Sequence, residues 1–327
     1  MSLETVIRSI FSTLFLASVI RISTPIIFPA MGGLIATCAG VPNMALEGIM
    51  NVGAFTGVIV SAFTGNVWLA ILAGILAGIL MALILGTFHL HLQTNLFIAG
   101  LAMNLLASGG TVFLMYILTG DKGNTTMLKS LSVPEVQIPF IKDIPLIGQV
   151  LSGHPVFTYL AFLLVFLVFI FLYKTRFGTH LRAVGENPEA ATTLGINVKR
   201  TRMIALVISG ILAALGGMNL SMAYLQFFQK EMAAGRGWIG IAAVHLGARK
   251  PLGTLLAAML FGFAGAISNQ LGSLNIPSQL IQMIPYVTTI AALAIYAVQQ
   301  NRVAVERMKK YQKEHMDAMS AEASKAK

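Results

Sequence analysis

The chain has 327 residues, 56% hydrophobic and only 10% charged, with a mean hydropathy of +0.80. Soluble domains carry about a quarter charged residues, so a soluble enzyme or scaffold is excluded in favour of a polytopic membrane protein. The net charge of +10 does not signal nucleic acid either, because the basic residues collect in polar loops and the tail, where the positive-inside rule puts them.

A bilayer core of about 30 Å takes about 20 helical residues. Ten apolar runs are candidate spans, near 5–20, 22–40, 45–64, 67–87, 96–118, 156–173, 203–225, 237–248, 252–271 and 280–298. Several are short, and the first two share a stretch around Arg21 that a ten-span count places in an outer loop. The expectation is an all-α, polytopic transmembrane helical bundle of roughly eight to ten spans, some broken or re-entrant. No small-residue cleavage site follows Arg8 and the first run, which reads as a retained span. The single cysteine, Cys38, excludes an intrachain disulfide and reads as a buried small hydrophobe.

Polar residues inside these runs come next. In GVPNMALEGIMNVGAF, Asn43, Glu47 and Asn51 recur every four residues and share one helical face. Glu47 is an acidic residue well inside an apolar region, where charge is costly unless paired or hydrated. Two readings stand: a residue near a translocation path, or a structural carboxylate accepting backbone amides at a broken helix end, which Gly40 and Pro42 upstream predict. Asn95, Asn104, Asn219, Gln226, Asn269 and Gln270 also sit on apolar faces. Singly they read as interhelical hydrogen bonding; together they suggest a polar interior suited to a neutral solute. Small residues every fourth position, Gly74, Gly78, Ala82 and Gly86, then Thr254, Ala258, Gly262 and Ala266, predict close helix packing within one bundle. His89 and His91, two apart, make a poor metal pair, and neither a Walker motif nor a nucleophile elbow appears. Catalytic and metal sites are therefore expected to be absent.

Two polar segments orient the bundle. Residues 174–202 carry six basic residues, the tail after 298 carries seven, and the loop 119–155 balances three basic against three acidic residues. The basic segments, and both termini, should face the cytoplasm and 119–155 the outside. This gives a membrane domain over 1–298 and a basic cytoplasmic tail over 299–327. Within 174–202 a short helix is punctuated by Asn187 as N-cap, Pro188 at the first position, Glu189 at the positive dipole end and Gly195 as the stop. About seven helical residues are too few to stand alone in water, so this stub should be a docking element.

GVPNMALEGIMNVGAFTG resembles the signature of bacterial ABC-transporter permeases of the branched-chain amino acid and simple-sugar class, through Asn43, Glu47, Gly48, Met50, Gly53 and Ala54. FGTHLRAVGENPEAATTLGINVKR resembles that family's coupling segment, and GWIGIAAVHLGARKPLGTLLAAMLFG its late broken span. Met44-Ala45, His245 and Arg249-Lys250 depart from the usual wording, which leaves the solute open. Glu47 places the likeness nearest the nucleoside and simple-sugar branch.

The resemblance implies a permease subunit of an importer in a bacterial inner membrane, working by alternating access and surrounded by lipid. Arg182, Gly185, Glu186, Asn187, Pro188, Glu189, Ala190, Ala191, Leu194, Gly195 and Ile196 would dock on a separate cytoplasmic ATPase. That partner, not this chain, would hold ATP and magnesium. A second permease subunit, sister chain or self, and an external substrate-binding lipoprotein would complete the assembly. Asn43, Glu47, Asn51, Asn95, Asn104, Asn219 and Gln226 are the candidate path residues. The expected solute is a nucleoside, then a simple sugar or a riboflavin-like vitamin, with Tyr224, Phe227, Phe228 and Trp238 available for stacking or interface anchoring. The alternative is an ion-gradient-driven secondary transporter, which would more often show several intramembrane charges.

Overall fold

The computed structural model describes residues 12–128, 130–137, 147–272, 277, 280–281, 283–298, 302 and 308. The first residues of the 5–20 run, and the tail 299–327 apart from 302 and 308, lie outside them. Seven described helices are long and apolar enough to cross a membrane. They are α1 (Thr13–Cys38), α2 (Leu46–Thr64), α3 (Val67–Leu90), α4 (Leu96–Thr119), α6 (Val156–Lys174), α9 with its π-helical extension (Val198–Met218, then Asn219–Tyr224) and α11 (Pro251–Leu271). Two shorter ones, α10 (Arg236–Leu246) and α12 (Met283–Val298), complete an all-α bundle. Opposite the basic segment, the 119–155 loop adds α5 (Ile147–Leu151) and a two-stranded ribbon of β1 (Glu135–Val136) and β2 (His154–Pro155).

The loop expected at Arg21 is absent, since α1 runs unbroken from Thr13 to Cys38. Its residues from Ser23 to Ala36 are buried on every side, as expected of a helix that is apolar all round. α9, α10 and α11 pack closest on it and α6 also touches it, whereas α3 and α4 pack on α2, and α3 on α9 as well. Two prolines interrupt the α1 ladder, Pro25 and Pro29. Pro25 has no N–H for the carbonyl of Arg21 four residues back, and the Tyr224 hydroxyl donates to that oxygen instead. Neighbouring helices repair proline breaks in this way inside a membrane.

The small-residue stripes pack within the chain. Gly78 faces Gly210 and Ala214 of α9, Gly74 faces Met218, and Gly262 of α11 meets Ser23 of α1. At the other end of the bundle, Leu131 N–H donates to Ser61 Oγ (2.9 Å) and Val133 N–H to Met222 O (3.1 Å), laying the 119–137 loop over α2 and the π-helix.

Candidate functional site

Three features could carry function: a junction of broken helices, a cavity beside it, and the basic end of the molecule. The junction arises because the chain leaves α1 at Ala39 and turns back through Gly40, whose φ is +75°, before α2 starts at Leu46. Asn43 Nδ2 donates to Ser209 Oγ (3.0 Å) in the middle of α9, and Asn43 Oδ1 accepts from Ala45 N–H (3.0 Å). On α4, Asn104 Oδ1 accepts from Gly48 N–H (2.8 Å) while its Nδ2 donates to Met44 O (2.9 Å). Asn104 thus satisfies a donor and an acceptor that the helix break frees. Asn104→Ala should lower the stability of the detergent-purified transporter by about 1–3 kcal/mol, seen as earlier loss of the monodisperse peak on heating.

Glu47 lies on the next turn. Its Oε1 accepts from Gly235 N–H (2.6 Å) and its Oε2 from Gly237 N–H (2.8 Å), where α10 begins. One carboxylate therefore takes up two orphan donors at the positive end of a buried half-helix. Asn51 Oδ1 continues the row by accepting from Ala233 N–H (3.0 Å). A Cβ on Gly237 would come within 2.7 Å of Glu47 Cα, so only glycine lets α10 approach α2 this closely. The carboxylate reading made from Gly40 and Pro42 assumed a nearby break; the amides come instead from a helix start nearly two hundred residues on.

The remaining proposed path residues are dispersed. Asn95 is exposed and caps α4, accepting from Phe97 and Ile98 N–H. Gln226 is exposed, has φ +57°, and accepts at its carbonyl from Ser130. Asn219 is fully buried where α9 turns π-helical, and neither atom of its amide has a partner among the described residues.

A cavity of about 540 Å³ opens between α1, the π-helix, α10, α11 and α12. Tyr224, Arg236 and Tyr286 supply its rings and charge, and Gln229, Ser268 and Asn269 add polar groups. Arg236 donates from Nη1 to Met232 O (3.4 Å) and Ala233 O (3.2 Å), and Glu47 lies close enough to attract its charge. The Tyr286 hydroxyl donates to Ala234 O (3.0 Å), and the Arg21 guanidinium lies over the Tyr224 ring, 4.4 Å from its centroid. Of the aromatics singled out for stacking, Tyr224 is on the wall. Phe228 is buried against Phe55 with ring centroids 5.4 Å apart. Arg236 and Tyr286 escaped sequence reasoning, the first because it abuts a glycine-rich break, the second because a tyrosine in an apolar run reads as an anchor.

At the basic end, α7 (Arg176–Glu186) and α8 (Pro188–Thr193) form a helical pair. Asn187 Oδ1 accepts from Ala190 N–H (3.0 Å), and Gly195 ends the stub with φ +79°. α7 was read only as basic loop, although its buried Gly178, Leu181 and Val184 recur every three residues. Ala191 is buried, and packing of α8 on α7 and α9 supplies part of what the isolated stub lacks. Leu194 nonetheless stands 78% exposed at the tip. Arg182 Nε donates to Leu172 O (3.1 Å) and Arg202 Nε to Ala39 O (3.3 Å), tying the pair's surroundings to the ends of α6 and α1. Gly185 packs against the carbonyl of Cys38. Ile196 is half-buried, while Glu186, Glu189 and Ala190 face outward.

Residues 15–293 match the family described as branched-chain amino acid transport system / permease component. Over 294 residues, 86% of this chain and 92% of the relative, the sequence is 35% identical to the nucleoside ABC transporter permease protein NupC of Lactococcus lactis subsp. cremoris. It is 36% identical to the guanosine ABC transporter permease protein NupQ of Bacillus subtilis over 287 residues, 83% of this chain and 88% of that one. Among solved structures, PsaBC from Streptococcus pneumoniae in complex with Fab aligns over 89% of this chain and 95% of that chain, with a TM-score of 0.53 and 14% identity, a likeness of fold alone.

Proposed function

The chain belongs to the branched-chain amino acid transport system / permease family, and from that premise we propose that it carries a nucleoside inward as the membrane subunit of an ATP-binding-cassette importer. It is a multi-pass transporter subunit, not an enzyme. In this reading a separate ATPase binds ATP and magnesium and grips residues 186–196, with α7 and α8 facing the cytoplasm of a bacterial inner membrane. Both termini lie on that side. A second permease, homologous or identical, sits alongside in the lipid, and an external lipoprotein delivers the solute near residues 119–155. The two nucleoside-transporter relatives, each matched over most of their length, support the solute class.

The observation that carries the coupling role is Leu194, a large apolar side chain held 78% exposed by its own caps on a polar surface. Such a residue suits an interface anchor surrounded by polar contacts. Leu194→Arg should cut co-purification of the ATPase and ATP-driven nucleoside uptake by roughly tenfold or more, the equivalent of about 1.4 kcal/mol at the interface, with membrane insertion unchanged. Uptake and co-purification at wild-type levels would refute the docking role.

A further inference from the structure

Resting on that import reading, we propose that the cavity bounded by α1, the π-helix and α10–α12 is a nucleoside subsite within this single chain. Tyr224 and Tyr286 receive the base, and Arg236 reads its acceptor edge, so 6-oxopurine nucleosides such as inosine are preferred to adenosine. The volume, about 540 Å³, falls in the range of small-molecule sites, which span roughly 300–1,000 Å³. Both tyrosine hydroxyls are already committed as donors, to Arg21 O and Ala234 O. That holds the rings in place and leaves their oxygens able only to accept. Every nucleobase has a π-face to lay on such rings; a free sugar has no π-system.

Specificity follows from Arg236. Its Nη1 is spent on two backbone carbonyls, while Nε and Nη2 have no hydrogen-bond partner among the described residues. A charged group with unspent donors beside a cavity in a membrane bundle marks a functional position. A guanidinium fork pairs with two neighbouring acceptors, as O6 and N7 of a 6-oxopurine provide; adenine offers N7 beside an amino group, which would set donor against donor. The side-chain amides of Gln229 and Asn269, both exposed and without hydrogen-bond partners among the described residues, can each give and accept a bond, as ribose hydroxyls require.

The test uses the assembled transporter, with its ATPase, sister permease and binding protein, in proteoliposomes. ATP-driven uptake of inosine and of adenosine is measured for the wild type, Arg236→Gln, Tyr286→Phe and Tyr286→Leu. A glutamine can pair with the N6/N7 edge of adenine, so Arg236→Gln should raise the adenosine-to-inosine ratio roughly tenfold, a change that misfolding cannot produce. Tyr286→Leu should reduce uptake of both nucleosides roughly tenfold, and Tyr286→Phe, which keeps the ring, by distinctly less. If Arg236→Gln fails to assemble, the Phe-against-Leu contrast carries the test alone. Wild-type uptake of inosine with a ratio blind to Arg236, or with Phe and Leu equivalent at 286, overturns the subsite and leaves the import reading standing. A wild-type complex that moves neither nucleoside overturns both.

Discussion

Glu47→Leu should leave little folded transporter, whereas Glu47→Gln should leave a weakened one. The carboxylate takes N–H bonds from Gly235 and Gly237 at 2.6 and 2.8 Å, and the site is closed around it because Gly237 packs on the Glu47 backbone. Leucine would leave two buried donors without acceptors, at about 1–3 kcal/mol each, and would also remove a negative charge from the positive end of α10. Glutamine keeps the shape and one acceptor, but its amino group then faces the second N–H, so a loss of about 1–3 kcal/mol is expected. Thermal unfolding in detergent should rank wild type above Gln and Gln above Leu. A leucine variant as stable as the wild type would show that α10 starts without help from α2.

Gly185→Leu should separate ATP hydrolysis from transport. The α-carbon of Gly185 lies against the Cys38 carbonyl at the end of α1, with no room for a Cβ, which would also meet the backbone nitrogen of Gly40 at 3.1 Å. A side chain there must push α7 away from α1, the helix on which α9, α10 and α11 pack. The ATPase would still bind the intact tip at Leu194, but its closure would no longer move the spans, and uptake should fall roughly tenfold or more, a loss of about 1.4 kcal/mol or more in coupling. Gly65→Asn is the control. Gly65 lies outside the docking segment, has a positive φ (+63°), and a Cβ there meets nothing within 4 Å. Asparagine tolerates that conformation better than most residues, so the penalty should stay near 1 kcal/mol or below. Equal losses in the two variants would mean that the contact with Cys38 transmits nothing.

What could be read from sequence divides by range. The caps of α8 were legible because Asn187, Pro188 and Gly195 act on backbone within a few residues. The small-residue stripes announced close packing because glycine spacing survives whatever helix lies opposite. Arg21 misled, since a basic residue between apolar runs looks like a loop; the helix persists through it because Tyr224, about two hundred positions away, repairs the break at Pro25. Glu47 was recognised as exceptional, yet its partners at 235 and 237 could not be found from local pattern, because nothing near either segment encodes their meeting. The same holds for the cavity, whose wall draws two or three residues from each of five helical elements.

One consequence concerns voltage. Eleven residues make α10 only about 16 Å long, about half the low-dielectric core of a bilayer. Across 100 mV, a single elementary charge traversing that layer would gain or lose about 2.3 kcal/mol. Here the half-helix end is met by Glu47, and the guanidinium of Arg236 has the same carboxylate near it. A nucleoside carries no charge at neutral pH. In the proposed reading its passage is electrically silent, and a membrane potential neither helps nor opposes accumulation.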